Sequence, residues 1–426
     1  MVAAPKGNLF SMPCGPYLII DFNSYFASVE QQENPRLRGK PVAVVPADTD
    51  TTCAIAASYE AKAFGVKTGT RIYEAKRMCP GLILVPARHD LYVEYHARWL
   101  EEVNNHLPVL REMSIDEACF KMIGNECEEK NAVAIAQRMK DGIRKNVGDC
   151  LRTSIGIAPT LLLAKIASNL QKPDGLTVLR MEDLPGPLLG LKLIDLTGIG
   201  RNMEAHLINA GITSVADLWA LNPQQARGIW GSVSGERFWY ELHGIEMPLL
   251  DHQRRSIGHS RVLDPEMRVP KKSRLVARAL TLKAATRLRR YGLAAGTFGI
   301  SLRPINGPRF SAEVRLPPTQ DSFALLTELD RMWRDFAATY PPHTRLLKTS
   351  VFLSRLYPVE SRMEDLFIER KNGKSRGESL WDAVDRLGKR YGKDAVSLGS
   401  QRDLSLQYLG AKIAFTRVPD REEFKE

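Results

Sequence analysis

The pattern of apolar and polar positions changes its period repeatedly along the first third of the chain. An apolar run that begins at residue 17 ends in the polar sequence DFNS, and a helix-like period follows. The strand-like runs PVAVVPA and GLILVPA come next, followed by helix-like stretches near residues 90 to 107 and 130 to 146 and then by the strand-like run RTSIGIAP. Two further strand-like runs meet at the short polar junction SIDEA, residues 114 to 118. This pattern predicts an α+β domain with an antiparallel hairpin at its centre.

Helix-like periodicity dominates from about residue 160 to 245, and a different order follows it. Residues 257 to 358 fit the order strand, helix, strand, strand, helix, strand, with helices near 272 to 291 and 321 to 338. That order is typical of a ferredoxin-like module. One more amphipathic helix is predicted beyond it, with an apolar stripe at Trp381, Val384 and Leu387.

The positive charge of the chain is concentrated in that module. The sequence contains 60 Lys and Arg against 49 Asp and Glu, a net charge of +11. Residues 251 to 350 alone carry 19 basic and 8 acidic side chains, so the whole excess lies there. Such a local excess is the electrostatic pattern of phosphate-backbone binding, although solvated basic helix faces are also common. At 426 residues the chain has room for three or four domains.

The six cysteines form no C-x-x-C pair and have no histidine cluster beside them. Neither a zinc site nor a disulfide framework is therefore predicted. The sequence has no apolar run of signal-peptide length near residue 1 and no run of 18 apolar residues. We expect a cytoplasmic protein that does not associate with a membrane.

Three carboxylates stand at predicted strand ends. Asp21 closes the first strand, and Asp116 and Glu117 occupy the hairpin junction. Each position has an ordinary explanation, because Asp21 and Ser24 fit a helix cap and Asp is common in hairpin turns. The junction, however, has apolar neighbours, and unpaired carboxylates in such surroundings are costly unless cations offset them. Three acids from two strand ends form the ligand set that two divalent ions need for in-line displacement at phosphorus.

Five stretches together resemble the Y-family of translesion DNA polymerases, closest to its DinB (polymerase IV) branch. They are DFNSYFASVE, AASYEAKAFGVKTG, SIDEA, SIGIAPTLLLAKIASNLQKPDG and LTGIGRNMEAHL, in the family's order between residues 17 and about 355. The resemblance implies an α+β right-hand polymerase with a ferredoxin-like palm, small fingers, a helix-hairpin-helix thumb and a β-α-β-β-α-β little finger. It also implies low-fidelity, template-directed addition of deoxynucleotides to a primer 3′-hydroxyl, used for translesion synthesis.

The resemblance also implies domain boundaries. They are an N-terminal tail at 1–16, a palm at 17–30 and 80–180, fingers at 31–79, a thumb at 181–250, a linker at 251–256, a little finger at 257–360 and a C-terminal tail at 361–426.

Position by position, the resemblance assigns Asp21 and Asp116 to both metal ions and Glu117 to the ion that activates the primer 3′-hydroxyl. The main-chain carbonyl of Phe22 is expected to hold the ion that travels with the triphosphate. The ions are expected to be Mg²⁺, two per active site, with Mn²⁺ as a substitute. Asn23 stands where many relatives have Asp, and we expect this difference to alter a supporting hydrogen bond rather than abolish the site.

Phe26 falls on the position of the steric gate, whose ring packs under the deoxyribose and excludes a 2′-hydroxyl. Without the resemblance it reads as a core aromatic residue of the first helix. Tyr59, Lys62 and Lys172 match the triphosphate contacts, as hydroxyl and cationic donors to phosphoryl oxygens. Lys62 replaces a common Arg, so it offers a point charge without the bidentate fork, and a lower triphosphate affinity is expected.

Gly198 and Gly200 fit the turn of a helix-hairpin-helix, whose backbone N–H groups can meet a DNA phosphate. Further candidates for contact with the DNA backbone lie in the basic module, where several are expected to be only solvated. They are Arg254, Arg255, Lys271, Lys272, Arg274, Arg278, Arg287, Arg289 and Arg290.

The expected partners are primer-template DNA and deoxynucleoside triphosphates, and a monomer is expected. The sequence MEDLF at 363–367 fits a docking peptide for the replicative sliding clamp, or a segment that packs on the little finger, and both readings stay open. A non-catalytic DNA-binding accessory factor is the alternative function. A two-metal nucleotidyl cyclase shares the paired acids, but it has no need of the hairpin motif or the basic module.

Overall fold

The computed structural model describes residues 15–46, 49–50, 52–248, 254–361, 376–392, 395–396 and 418. One compact unit holds the described residues up to 248 together with Val418, and a second holds those from 254 to 396. Within these ranges no helix is long and apolar enough to cross a membrane. The clamp-like sequence at 363–367 lies outside the described residues.

The first unit combines eight strands with ten α-helices in its described part, besides short 3₁₀ and π turns. Its strands are β1 (Tyr17–Phe22), β2 (Val42–Val45), β3 (Ala56–Ala57), β4 (Ile83–Pro86), β5 (Val109–Ser114), β6 (Glu117–Lys121), β7 (Thr153–Ala158) and β8 (Leu176–Val178). Its helices are α1 (Tyr25–Glu33), α2 (Tyr59–Ala63), α3 (Ile72–Met78), α4 (His89–Asn104), α5 (Glu129–Gly142), α6 (Leu161–Leu170), α7 (Arg201–Asn209), α8 (Val215–Trp219), α9 (Pro223–Trp230) and α10 (Val233–Leu242).

Strand β1 is the centre of a five-stranded sheet with the order β5-β6-β1-β7-β8. It pairs antiparallel with β6 on one side and with β7 on the other. Its side chains alternate between two hydrophobic cores, with Leu18 and Ile20 in one and Tyr17 and Ile19 in the other. A strand covered on both faces is apolar throughout, which is why the sequence pattern identified it.

A smaller sheet with the order β3-β2-β4 forms between residues 42 and 86. Helices α2 and α3 lie in the same part of the chain. The sequence analysis did not predict α3, because its seven residues, IYEAKRM, are too few to establish a helical period.

The second unit contains the predicted order of elements. They are β9 (Ser256–Val262), α11 (Pro270–Arg290), β10 (Leu293–Pro304), β11 (Phe310–Thr319), α12 (Ser322–Thr339), β12 (Leu346–Pro358) and α13 (Arg376–Tyr391). The four strands form an antiparallel sheet with the order β11-β10-β12-β9. One core contains apolar residues of both long helices and of the sheet.

Helix α13 confirms the predicted final helix but not its whole apolar stripe. Trp381 is buried and its ring lies 5.0 Å from that of Phe323. Leu387 is 41% exposed, so the stripe does not extend to the end of the helix. Polar contacts attach the helix instead, since the Asp385 carboxylate accepts from Arg289 and the Glu378 carboxylate accepts from the backbone N–H of Gln320.

Gly156 in β7 allows α6 to lie directly on the central sheet. A Cβ at this position would be 2.0 Å from the carbonyl oxygen of Ala164 and 2.4 Å from the backbone nitrogen of Ser168. Those backbone atoms cannot move without displacing α6. We therefore expect Gly156→Ala to lower the free energy of unfolding by roughly 1–3 kcal/mol, the usual cost of overpacking a core. Denaturant unfolding of the full chain measures the change.

Gly190→Ala is the matched control, because a Cβ at Gly190 would have nothing within 4 Å. Equal losses of stability in the two variants would show that contact with α6 is not what requires glycine at position 156.

Candidate active site

The three carboxylates identified in the sequence lie at one end of β1. In the ladder of β1 with β6, Asp21 is the partner of Glu117. Asp116 precedes Glu117 in the two-residue turn that joins β5 to β6. The antiparallel register therefore brings together acids that are almost a hundred positions apart in the sequence.

The turn at residues 115–116 is held by contacts to both of its carbonyl groups. The backbone N–H of Phe22 donates to the carbonyl oxygen of Asp116 at 2.9 Å. Nδ1 of the buried His96 lies 2.9 Å from the carbonyl oxygen of Ile115. The register shifts between Glu112 and Ser114, which is the irregularity that adjacent acids need in order to converge.

The ordinary explanation of Asp21 in the sequence was that it caps α1. The structure does not show this role. The residue at the N-cap is Ser24, with φ of 53° and no side-chain cap hydrogen bond. The carboxylate of Asp21 bonds to lysines instead. Its Oδ1 accepts from Lys172 Nζ at 2.7 Å, and its Oδ2 accepts from Lys165 Nζ.

Lys165 is the site residue that the sequence analysis missed. Its ammonium contacts carboxylate oxygens of both Asp21 and Glu117. It is the single charged residue of α6, whose sequence is LLLAKIASNL. A lone charge in an apolar helix was the available signal, because such a charge needs a buried partner.

The protonation equilibria of the site reflect the burial of its charges. Burial raises the pKa of Asp116, although the hydrogen bond from Ser114 opposes the shift. Burial also raises the pKa of Glu117 against the attraction of Lys165. For Lys165, burial alone would lower the pKa, but the carboxylates of Asp21 and Glu117 outweigh it and raise the pKa. The acids therefore favour additional positive charge.

The chemistry of these donors fits a hard divalent cation, which prefers carboxylate and carbonyl oxygens. As the side chains are placed, no group of three or more His, Cys, Asp and Glu residues in the described ranges could hold a metal ion. In this arrangement the carboxylates contact groups of the protein itself. Lys165 contacts both Asp21 and Glu117, and Oδ1 of Asp116 accepts a hydrogen bond from Ser114 at 2.6 Å.

Phe26 lies on α1, which is separated from the end of β1 by two residues, and its side chain is half-buried. Its ring stacks on that of Tyr92 at a centroid distance of 4.4 Å and an angle of 16°. The Tyr92 hydroxyl donates to the buried carboxylate of Glu30 at 2.8 Å, and Arg88 also donates to Glu30. One face of the Phe26 ring is thus supported from behind by a hydrogen-bonded residue.

Tyr59, Lys62 and Lys172 lie within electrostatic reach of Asp21. The Lys62 ammonium lies 4.3 Å from the centroid of the Tyr59 ring. Burial lowers the pKa of Lys62, and the charge of Lys172 lowers it further, against the effect of Asp21. Burial and the charge of Asp21 both raise the pKa of Tyr59. Two ammonium groups and a hydroxyl beside the acids are a combination that can bind polyphosphate.

Asn23 supports the loop that carries Lys172. Its Oδ1 accepts from the backbone N–H of Asp174 at 2.7 Å, and its Nδ2 donates to Ser154 Oγ at 3.0 Å. Lys140, on α5, bonds to the same loop, with Nζ 2.9 Å from Asp174 Oδ1. The Asn23 side chain therefore links β7 to the loop that carries Lys172, through Ser154 and Asp174.

The glycine turn before α7 differs in detail from the prediction. Gly198 has φ of +96°, a conformation that favours glycine, whereas Gly200 has φ of −93° and caps α7. The element before the turn is the single 3₁₀ turn Leu193–Asp195 rather than an α-helix.

The basic residues of the second unit separate into paired and exposed groups. Arg274 and Arg278 both bond to Asp330, and Arg254 lies 3.6 Å above the ring of Tyr291. The side chain of Arg289 is only 4% exposed and bonds to Asp385. Arg289 was therefore wrongly included among the candidates for DNA contact. Arg255, Lys271 and Lys272 are exposed.

Comparisons with known proteins give concordant matches. The chain matches the impB/mucB/samB family over residues 20–169 and the impB/mucB/samB family C-terminal domain over residues 254–366. It is 36% identical over 392 residues to "DNA polymerase IV" of Moorella thermoacetica (strain ATCC 39073 / JCM 9320), covering 89% of this chain and 94% of that protein. It is 28% identical to "DNA polymerase IV 1" of Bacillus subtilis (strain 168), covering 89% and 92%.

Solved structures show the same fold. The "Y-family DNA polymerase chimera Dbh-Dpo4(243-245)-Dbh" matches with a TM-score of 0.68 at 23% identity, over 80% of this chain and 98% of that chain. The "Insertion ternary complex of Dbh DNA polymerase" matches with a TM-score of 0.53 at 23% identity, over 79% and 98%.

The Asn23 contacts predict the effect of two substitutions. Asn23→Ala leaves the partly buried N–H of Asp174 without its acceptor, and we expect it to lower the free energy of unfolding by about 1 kcal/mol. It should also speed hydrogen exchange at the Asp174 amide. Asn23→Asp keeps the acceptor and should retain slow exchange there. Faster exchange in both variants, or in neither, would show that this bond does not hold the loop.

Proposed function

The chain belongs to the impB/mucB/samB family of Y-family DNA polymerases, in the DinB branch, and we propose that Asp21, Asp116 and Glu117 form its catalytic centre. It is a translesion DNA polymerase, a DNA-directed nucleotidyltransferase that binds primer-template DNA and deoxynucleoside triphosphates. The observation that carries the proposed site is the register that pairs Asp21 with Glu117 at the end of the central strand. The non-catalytic alternative is not favoured, because the chain retains all three acids at one location.

Enzymes of this family depend on metal ions, and we propose Mg²⁺ as the metal. The carboxylates of Asp21, Asp116 and Glu117, with the main-chain carbonyl of Phe22, would hold two ions. When bound, such ions lower the pKa of the attacking hydroxyl and offset charge on the phosphoryl group. Tyr59, Lys62 and Lys172 would bind the triphosphate oxygens and so orient the nucleotide for in-line attack.

Phe26 would select the sugar. In this role the ring packs under the deoxyribose, and its support by Tyr92 keeps it from yielding to a 2′-hydroxyl. The contact is steric and needs no polar group.

DNA binding would involve two separate regions. The backbone N–H groups at the turn of Gly198 and Gly200 stand at the start of α7, where a phosphate is favoured. The exposed Arg255, Lys271 and Lys272 would supply positive charge in the second unit. Arg274 and Arg278 would contribute if they leave Asp330, and Arg254 would contribute if it leaves the Tyr291 ring. Docking of residues 363–367 to a sliding clamp and a monomeric state are further proposals, based on the sequence alone.

The central test is primer extension on an undamaged template with Mg²⁺ and deoxynucleotides. We expect the wild-type chain to extend the primer and Asp116→Asn and Glu117→Gln to lose activity by orders of magnitude, because transfer depends on metal placement. DNA affinity should change little, since neither acid contacts the duplex in this assignment.

Glu94→Gln on α4 is the control, because this acid is exposed to solvent. Near-normal extension by both active-site variants would contradict the assignment of the acids. If the wild-type chain binds DNA without extending the primer, the result would favour the alternative function, a non-catalytic accessory factor.

A second test concerns the sugar. Phe26→Ala should raise incorporation of ribonucleotides relative to deoxynucleotides, because removal of the ring opens space for the 2′-hydroxyl. Phe64→Ala is a suitable comparison, since Phe64 is 51% exposed. If the ratio of the two sugars stays at the wild-type value in Phe26→Ala, Phe26 is only a core aromatic residue.

A further inference from the structure

Lys165 reaches the acids from a rigid position. Helix α6 is pressed against β7 at Gly156, and the Thr160 hydroxyl oxygen caps the helix by accepting from the backbone N–H of Leu163 at 3.3 Å. The Lys165 side chain is 19% exposed. Its ammonium is therefore presented to the end of β1 by the packing of the helix rather than by a mobile loop.

The two lysines at the acids have different roles in the arrangement. Lys172 belongs to a loop, its side chain is 30% exposed, and it contacts Asp21 alone among the three acids in the described structure. Lys165 contacts Asp21 and Glu117 together, and so bridges the ends of β1 and β6. Lys165 thus offsets charge on both of the paired strand ends, whereas Lys172 offsets charge on one.

Lys165 contacts oxygen atoms of two of the carboxylates that would hold a metal ion. Its partners are Oδ2 of Asp21 and Oε1 of Glu117. An ammonium and a divalent cation compete for the same carboxylate oxygens, because the two positive charges repel at such a short separation. A Lys side chain has a flexible stem, which allows its ammonium to leave while α6 stays in place.

We propose that Lys165 is a displaceable counter-ion that stabilises the metal-free centre and lowers its affinity for divalent ions by competing for Asp21 and Glu117. The inference rests on the proposed function, since it concerns the same acids. Lys165 acts through those acids and is a positioning residue. Metal binding and movement of the Lys165 ammonium are then one linked equilibrium.

This role predicts two effects of opposite sign. Lys165→Met removes the charge at similar length, so the metal-free protein should have a lower melting temperature. Its affinity for Mn²⁺ should nevertheless rise by roughly tenfold, because the competitor is gone. Loss of a merely structural residue would lower the stability and leave the affinity unchanged or weaker.

The experiment uses the full chain without DNA or nucleotide. Mn²⁺ binding is measured by electron paramagnetic resonance of the free ion, and melting temperatures are measured in EDTA and in saturating Mn²⁺. Lys140→Met is the matched control, because Lys140 is a buried lysine paired with Asp174 and contacts none of the three acids. We expect it to lose stability with no change in Mn²⁺ affinity, and we expect Lys165→Arg, which keeps the charge, to retain weak binding.

A second measurement uses the wild-type protein and does not depend on the folding of a variant. Mg²⁺ should raise the rate at which Lys165 is acetylated by a chemical reagent, followed by mass spectrometry, because a displaced ammonium becomes accessible. Lys140 should show no such rise.

Wild-type Mn²⁺ affinity in a folded Lys165→Met, or Lys165 labelling that Mg²⁺ does not change, would overturn the inference alone. If Asp116→Asn and Glu117→Gln bind Mn²⁺ with the affinity of the wild type, the proposed metal site fails, and this inference fails with it.

Discussion

The whole site depends on the antiparallel pairing of β1 with β6. Because β1 is covered on both faces, its residues are fixed in register by two hydrophobic cores. A shift of one position would turn each apolar side chain to the opposite face. The same register sets Asp21 opposite Glu117, so the stability of the core and the placement of the acids are a single constraint.

The sequence alone was sufficient to predict the elements whose contacts are local or whose hydrophobic pattern is long. The strand at 17–22, the hairpin at SIDEA and the order of elements after residue 256 all follow from periodicity and turn chemistry. The three acids were recognisable because charges at the ends of apolar runs stand out. Their grouping by the resemblance is consistent with the register of β1 and β6.

Contacts between distant residues could not be predicted in this way. Lys165 and Asp21 are 144 positions apart, and no local pattern states that they meet. Arg289 looked like a surface cation because its helix is rich in Arg and Lys, yet Asp385 and the carbonyl of Gln320 hold it in the interior. Leu387 stands at helical spacing, but an apolar stripe is buried only where a partner surface covers it.

The stack of Phe26 on Tyr92 makes sugar selection, in its proposed form, a question of stiffness. A ring excludes an extra oxygen only if it resists being pushed, and resistance comes from what lies behind it. Tyr92, on α4, donates to Glu30 on α1, and Glu30 also accepts from Arg88 at the start of α4. These bonds between the two helices hold Tyr92 in place behind the Phe26 ring. The accuracy of the choice between two sugars would then be an elastic property of a helix interface, adjustable by changes that never touch the nucleotide.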